Sequence, residues 1–383
     1  MTYARNITDL DDKINARAKE NGEDISELTA RTTQQFLCDA DALGALRPTM
    51  QPKATEHITE MIEMIETLIA KGHAYTKDGN ALFSVKSWED YGKFARKDYD
   101  EQVAGSRVEI ASYKQDPADF VLWKPSQDDE PGWDSPWGRG RPGWHIECSA
   151  MCKKHLGENF DIHGGGLDLI FPHHQNEIAQ SCCANEGSAF ATYWMHNGFL
   201  MSEGEKMSKS LGNFYTVHEL LKEFEGLAVR LVLLSTHYTK PLDFTKDKLD
   251  ENQKLLKRIR DTLDDYIQFE SDNLTPYAPL HNALLDDLNT PLALSCLWEL
   301  RKKLIANPSN EIYGQFVYSL EMLGLIPTSS MENDKSEVEK LADQRYQAKK
   351  NKDFKNADAL RDKITEIGYE ILDTADGYKL RKL

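Results

Sequence analysis

A cysteine, a histidine and a glutamate in the middle of the chain have the types and the spacing of metal ligands. Cys148 lies in the string GWHIECS, and His173 and Glu177 lie in the string FPHHQNE. Because His173 and Glu177 are four residues apart, a helix would place both side chains on one face, close enough to share an ion. Thiolate, imidazole and carboxylate together suit zinc. A buried cysteine and a capping histidine would explain the same residues without a metal.

Two lysines further along the chain enclose a small hydroxyl residue. Lys206 and Lys209 flank Met207 and Ser208, and Gly212 follows. Such a loop can move, and its ammonium groups can meet the charge that develops on a phosphate leaving group. A surface loop with two lysines is the alternative that the composition leaves open.

Three consecutive glycines, residues 164–166, lie between His163 and Asp168. Glycines allow a backbone to approach a ligand closely, and an adjacent aspartate can accept a hydrogen bond from a ribose hydroxyl. A tight turn would use the same glycines. Their position between Cys148 and His173 favours nucleotide binding.

These residues need a scaffold, and the sequence predicts helices followed by an α/β region. Helical patterns cover residues 8–21, with Thr8 as the N-cap, and residues 25–43 and 54–71. A hairpin is expected next, around the turn at residues 77–80. From residue 144 to about 215, short apolar runs alternate with glycines and a helix, which is typical of a parallel sheet. The pattern from 216 to about 325 is helical, with Leu255, Ile259, Leu263 and Ile267 marking one face.

Composition limits the class of protein. A chain of 383 residues suggests two or three domains, and its six scattered cysteines do not form a disulfide framework. No apolar run is long enough for a membrane span and the start does not resemble a signal peptide, so a cytoplasmic protein without membrane contact is expected.

The charge balance predicts where nucleic acid could bind. The net charge of −17 argues against non-specific nucleic-acid binding over the whole surface. Basic residues are concentrated between Lys340 and Lys363, where eight of them stand against four acidic residues. A solvated helix face would explain the same pattern.

Four strings, in this order, resemble the cysteinyl-tRNA synthetases, a family of class I aminoacyl-tRNA synthetases. They are RNITDLDDKI from residue 5, GWHIECSAM from residue 143, the stretch from His163 to Glu177, and KMSKS from residue 206, which is the signature loop of the class. The resemblance covers essentially the whole chain.

The resemblance implies a fold and a domain order. It implies an α/β Rossmann-like class I synthetase catalytic domain that is N-terminally incomplete, an α-helical tRNA-binding region and a small α/β C-terminal module. The expected boundaries are 1–215 for the catalytic domain, with an insertion around 80–142, then 216–325 for the helical region that contacts the tRNA stem, and 336–383 for the anticodon-binding module.

The resemblance also implies substrates and site residues. Cysteine, ATP with Mg²⁺ and tRNA(Cys) are the expected substrates of a monomeric ligase that carries one Zn²⁺ per chain. Zinc would bind the thiolate of cysteine far better than the hydroxyl of serine, a distinction that pocket shape makes poorly. The implied residues are Cys148, His173 and Glu177 for zinc; Thr8, Trp144 and His163 for cysteine; Asp168, Lys206, Ser208 and Lys209 for ATP, the two lysines being catalytic; and Phe354, Asp358 and Asp373 for the anticodon.

Two departures from the family stand out. Gln175 replaces a glutamate that is usual in the family. The family also carries, upstream of the string at residue 5, a strand with a fourth zinc cysteine and the His-Ile-Gly-His signature, which this sequence lacks. We therefore expect weak or no cysteine activation, and three protein ligands on the zinc unless Cys152 supplies a fourth.

Two other functions fit parts of the sequence. A ligase that joins cysteine to an amino sugar would share the zinc and ATP elements but would lack an anticodon module, and the basic C-terminal stretch argues against it. A catalytically impaired fragment or pseudo-enzyme that binds tRNA without charging it is the second alternative.

Overall fold

A computed structural model describes residues 1–98, 101, 112–202, 204–207, 214–269, 274–326, 330–350, 353–366, 369–374 and 377–382. The chain divides into two compact units. The first comprises residues 1–265 and 278–298, and the second comprises residues 266–277 and 299–383.

Three helices open the first unit: α1 (Asp12–Asn21), α2 (Ile25–Ala42) and α3 (Ile58–Ala70). The N-cap of α1 is Asp11, whose carboxylate accepts a hydrogen bond from the backbone N–H of Lys13 at 2.8 Å. The prediction of Thr8 as the cap was therefore wrong, because both residue types can cap and only the backbone geometry decides between them. Helix α3 buries the apolar face that its sequence predicts, including Met61, Ile65 and Leu68.

An antiparallel sheet packs with α3 in the main core. Its strands are β1 (Ala74–Lys77), β2 (Asn80–Phe83), β3 (Phe120–Pro125) and β4 (Gly140–Pro142), in that order. The hairpin of β1 and β2 is confirmed, with Asp78 and Gly79 both at positive φ in its turn. Leu122 and Trp123 of β3 are fully buried.

The chemistry-bearing strings lie on the next elements, which are α4 (Trp144–Leu156), β5 (Asn159–Gly166), α5 (Gln175–Ala184) and β6 (Phe190–Asn197). Strands β5 and β6 are parallel, with His163 opposite Trp194. Parallel pairing requires a crossover, and α5 lies within it. The expected α/β arrangement is thus confirmed in this region.

The first unit continues with shorter strands and with helices. Strands β7 (Leu200–Ser202), β8 (Glu205–Lys206) and β9 (Leu242–Asp243) form a small sheet. The helices are α6 (Val217–Leu220), α7 (Gly226–Leu234), α8 (Lys246–Asp265), α9 (Ala278–Leu285) and α10 (Thr290–Ala306), the last of which belongs to the second unit from residue 299 onward.

The apolar face of α8 has the predicted direction, although its most buried residues differ from those predicted. The buried residues are Leu249, Leu256, Ile259 and Thr262, and the predicted Leu255 and Leu263 are half-buried. At about 100° per residue, both sets lie on one side of the helix. Ile267 lies beyond the helix and is 73% exposed, so its place on this face was predicted incorrectly.

The second unit contains α11 (Asn310–Leu323), α12 (Ser330–Lys350), α13 (Phe354–Glu366) and an antiparallel hairpin of β10 (Tyr369–Thr374) and β11 (Gly377–Lys382). A small core joins α12, α13 and β10 through Val338, Ala342, Ile364 and Ile371. Among the described residues, no helix combines the length and the apolar character that crossing a bilayer requires.

Candidate metal centre

The three predicted metal ligands converge. Cys148 lies in the second turn of α4, His173 lies two residues before the start of α5, and Glu177 lies in the first turn of α5. One ligand atom from each, namely the sulfur, a ring nitrogen and a carboxylate oxygen, can be chosen so that all three lie within 4.8 Å of one another. Their separation fits a shared ion better than independent packing.

The carboxylate of Glu177 lies between two imidazoles. Its Oε1 is 2.8 Å from Nε2 of His173, and its Oε2 is 3.3 Å from Nε2 of His163. Burial acts to raise the pKa of Glu177, but these two imidazoles outweigh it and hold the pKa below its usual range. The group is therefore an anion in a fully buried position.

The same carboxylate provides a test of whether a metal fits. Neither of its buried oxygens receives a hydrogen bond of good geometry from the described residues. A buried carboxylate without well-directed hydrogen bonds is costly, so a proton or a metal ion is needed between each oxygen and the imidazole nitrogen that faces it. A zinc ion among Cys148, His173 and Glu177 would satisfy the sulfur of Cys148, Nε2 of His173 and one oxygen of Glu177.

Cys148 lies in a buried environment, where its thiol does not readily lose a proton unless the sulfur binds a metal ion. Burial raises its pKa well above the usual value, and Asn6 lies near the sulfur, with its Nδ2 at 3.7 Å from Sγ. Cys152 lies one helical turn further along α4 but belongs to neither group of candidate ligands in the described residues. Its proposed role as a fourth ligand receives no geometric support.

His173 is oriented by a second histidine that the sequence analysis did not identify. Its Nδ1 is 2.9 Å from Nδ1 of His145, and burial lowers the pKa of His145 to about 3. A neutral His145 can accept a hydrogen bond from Nδ1–H of His173, which leaves Nε2 of His173 as the ligand atom. The indole of Trp144 stacks on the His173 ring with the centroids 4.2 Å apart, and its side chain remains largely exposed.

A second group of candidate ligands shares Glu177. His163, His174 and Glu177 also offer three ligand atoms within 4.8 Å of one another. Nδ1 of His174 is 2.8 Å from Nε2 of His196 on β6, and burial lowers the pKa of His174 to about 3. His174 and His196 were missed because neither has a spacing signal. The adjacent pair His173-His174 is the only hint that the sequence contains.

The other predicted residues lie on different elements. Thr8 is exposed, on the segment whose Asn6 contacts Cys148, and Asp168 is exposed in a short helical turn after β5. Asp358 is exposed on α13, with an oxygen 3.9 Å from the guanidinium of Arg361. The structure thus gathers Cys148, Trp144, His163, His173 and Glu177, and within the described part of the first unit no hydrogen bond or ion pair joins Thr8 or Asp168 to them.

The remaining predicted residues lie partly or wholly outside the described set. Ser208 and Lys209 are outside it entirely, and so are the side chains of Lys206, Phe354 and Asp373, whose backbones lie on β8, α13 and β10. The predictions for these five residues stay predictions.

Comparison with known proteins places this arrangement in a family. Residues 1–254 match the family model described as the tRNA synthetases class I (C) catalytic domain. The chain is 52% identical to the cysteine–tRNA ligase of Paramagnetospirillum magneticum, over 98% of this chain and 85% of that protein. It is 50% identical to the cysteine–tRNA ligase of Rhodospirillum rubrum, over 100% of this chain and 86% of that protein.

A solved structure gives the fold. The Mycobacterium tuberculosis methionyl-tRNA synthetase bound by methionyl-adenylate superposes with a TM-score of 0.52 at 16% identity, over 82% of this chain and 79% of that chain. At this identity the similarity concerns the fold alone. It confirms the expected Rossmann-like fold of the class I synthetase catalytic domain.

Proposed function

The chain belongs to the cysteine–tRNA ligases, a family of class I tRNA synthetases, and on this premise we propose that Cys148, His173 and Glu177 hold a zinc ion that selects cysteine through its thiolate. The family reaction is ATP-dependent and uses cysteine and tRNA. The convergence of a thiol, an imidazole and a buried carboxylate is the observation that carries the proposal, and this carboxylate receives no well-directed hydrogen bond from the described residues.

The reaction has two steps. The carboxylate of cysteine attacks the α-phosphate of ATP, which gives cysteinyl adenylate and pyrophosphate. The cysteinyl group then passes to the terminal ribose of tRNA, with release of AMP. No covalent intermediate with the protein is needed, so the protein acts by positioning its substrates and stabilising charge.

The protein residues around the metal position prepare it for a thiolate. Zinc, when bound, supplies a position that accepts a thiolate much better than an alcohol. Glu177 contributes a buried negative charge, and His145 fixes the ring of His173. Trp144, which stacks on His173, covers one side of the pocket, and His163 and Thr8 complete its lining in this proposal.

ATP is proposed to lie along the glycine segment at the end of β5. Gly164 is exposed and Asp168 follows it within one short turn, so a ribose hydroxyl can reach the carboxylate. Lys206, Ser208 and Lys209 are proposed to hold the phosphates with Mg²⁺, and the two lysines to stabilise the charge that develops on pyrophosphate. These roles rest on the string KMSKS.

The tRNA is proposed to be read by the C-terminal part of the chain. In this proposal residues 1–215 catalyse the reaction with an insertion around 80–142, residues 216–325 contact the tRNA stem, and residues 336–383 bind the anticodon. Phe354 would stack on a base, and Asp358 and Asp373 would accept hydrogen bonds from bases. A cytoplasmic monomer completes the proposal.

Substitution of the sulfur ligand tests the proposal. In a Cys148→Ser variant we expect the zinc content of the purified protein to fall and the calorimetric preference for L-cysteine over L-serine to be lost, because serine is a poor zinc ligand. Cys182→Ser is the matched control, since Cys182 is a half-buried thiol on α5 that belongs to neither group of candidate ligands. A Cys148→Ser protein with full zinc content and unchanged preference would refute the proposal.

A further inference from the structure

We propose that Glu177 serves two metal positions, and that His163 and His174 form a second, weaker Zn²⁺ site beside the first. The inference rests on the proposed function only in the expectation that His163 also lines the cysteine pocket. Its carrying observation is separate, because the ligand atoms of this second group also lie within 4.8 Å of one another.

Each position contains a histidine whose Nδ1 is paired with another histidine, so that its Nε2 is left to bind a metal ion. In the first, Nδ1 of His173 is paired with His145, and its Nε2 faces Oε1 of Glu177. In the second, Nδ1 of His174 is paired with Nε2 of His196 at 2.8 Å, which leaves Nε2 as the available ligand atom. An imidazole whose second nitrogen is hydrogen-bonded is the usual state of a metal-binding histidine.

The carboxylate geometry allows both positions to be served at once. Oε1 of Glu177 points to His173 and Oε2 points to His163, at 2.8 Å and 3.3 Å from their Nε2 atoms. A carboxylate can bridge two metal ions, one on each oxygen, as in two-metal sites. Neither oxygen is occupied by a well-directed hydrogen-bond donor from the described residues.

Space beside His174 is kept open by a glycine. A Cβ built on Gly165 would lie 2.8 Å from Cε1 and 3.0 Å from Nε2 of the His174 ring. Any other residue would therefore press on the nitrogen that has to bind the metal. The absence of a side chain leaves that nitrogen accessible from the β5 side.

The charges of the ligands predict which of the two metal positions is occupied first. A Zn²⁺ at the first position is neutralised by the thiolate of Cys148 and the carboxylate of Glu177. A second Zn²⁺ adds two positive charges, but its ligands are two imidazoles, which carry no negative charge, and a carboxylate that the first ion already shares. It therefore binds more weakly. It would also occupy His163, so excess zinc is expected to compete with cysteine.

Cobalt titration of the metal-free full chain distinguishes the positions, because only the first has a sulfur ligand. We expect two equivalents of Co²⁺ to bind. The thiolate-to-cobalt charge-transfer band should reach its plateau with the first equivalent, while the weaker d–d bands continue to grow through the second. Zinc analysis after equilibrium dialysis should likewise give two equivalents.

Single substitutions identify the residues that bind the second equivalent of metal. His174→Gln should lose it and retain the charge-transfer band, and His163→Asn should do the same if His174→Gln does not fold. His155→Gln is the control, because its Nε2 lies 2.8 Å from Nε2 of His57 in another histidine pair of the described chain. The inference is overturned if only one equivalent binds, if the second survives in His174→Gln and His163→Asn, or if His155→Gln removes it.

A further variant separates this inference from the proposed function. Cys148→Ser should abolish the charge-transfer band. If it does not, the proposed first position is wrong, whereas the loss of the second equivalent in His174→Gln would still support the second position.

Discussion

Glu177 is the residue on which the site depends, because its buried carboxylate faces both His163 and His173 and belongs to both groups of candidate ligands. The i, i+4 spacing of His173 and Glu177 made the pair predictable from sequence, since both belong to one local segment. His145, His174 and His196 were not predictable, because their pairings join different elements through space. Sequence spacing thus reveals ligands within a segment and misses the residues that orient them.

Gly164 offers a test of the nucleotide site at the scale of one residue. A Cβ at this position would meet only the backbone oxygen of Met195, at 3.6 Å, which is an ordinary contact. We expect Gly164→Ala to change the free energy of unfolding by less than about 0.5 kcal/mol but to weaken ATP binding, because the methyl group keeps the nucleotide away from the backbone. Thermal unfolding and calorimetric titration with a non-hydrolysable ATP analogue measure the two effects.

Gly143→Ala provides the contrast. Its Cβ would lie 2.2 Å from the backbone oxygen of Val121, so this variant should lose stability. If Gly164→Ala bound nucleotide normally while remaining folded, the glycine segment would not be the ATP site.

At the scale of elements, ion pairs connect α1 with β3 and β4, the two strands that precede α4. Asp12 in the first turn of α1 accepts from Lys124 of β3 at 2.7 Å and from Arg141 of β4 at 3.1 Å, and Arg141 also binds Glu130 at 2.6 Å. The guanidinium is almost completely buried. This cluster fixes α1, which follows Thr8, relative to the strand that precedes Trp144.

These element contacts show the limit of local sequence patterns. The strong amphipathic repeat of α3 located that helix to within a few residues, and the turn at residues 77–80 located the hairpin. The capping residue of α1 and the place of Ile267 on α8 were predicted incorrectly, because several polar residues can cap a helix and because the apolar repeat continues beyond the residue where α8 ends.

Acid should loosen the attachment of α1. Burial acts to raise the pKa of Asp12, but Lys124 and Arg141 outweigh it and lower the pKa. A carboxyl group whose pKa is lower in the folded state stabilises the fold above its unfolded pKa, and that contribution is lost as the pH falls below about 4. Because the Asp12 side chain is 63% exposed, the contribution is at most about 1 kcal/mol.

Asp12→Asn measures this contribution. The variant should unfold at a lower urea concentration than the parent at pH 7, and the difference should shrink at pH 3. Asp128→Asn is the control, an exposed aspartate in the loop between β3 and β4. An Asp12→Asn protein whose deficit is the same at both pH values would show that the ion pairs do not cause it.

At the scale of the whole molecule, charge is unevenly distributed along the chain. A protein with net charge −17 repels phosphate over most of its surface, yet α12 and α13 carry the basic stretch between Lys340 and Lys363. Composition and resemblance predicted this segregation, and the resemblance predicted a fold that the comparison at 16% identity confirms. The roles of Phe354, Asp358 and Asp373 in anticodon binding stay predictions.

The salt dependence of the affinity for tRNA should distinguish residues that bind phosphate through their charge from residues that recognise bases. Lys340→Gln should reduce the slope of log affinity against log salt by about 1, because one phosphate contact is lost. Asp358→Asn should leave that slope unchanged and weaken binding about tenfold, which corresponds to about 1.4 kcal/mol for a lost hydrogen bond to a base. Glu299→Gln is the control, an exposed acid of the second unit paired with Lys302. Equal effects of Asp358→Asn and Glu299→Gln would argue against a role for Asp358 in base recognition.

The thiols of the molecule differ sharply in accessibility, and this difference has a practical use. Cys38 on α2 is exposed, whereas the other five cysteines are half-buried or buried, and burial raises the pKa of Cys148, Cys152, Cys182 and Cys183. Thiol reagents attack the deprotonated and accessible sulfur, so a maleimide dye is expected to react first with Cys38. The native chain therefore already carries a preferred fluorescent attachment point, at a cysteine that belongs to neither group of candidate metal ligands.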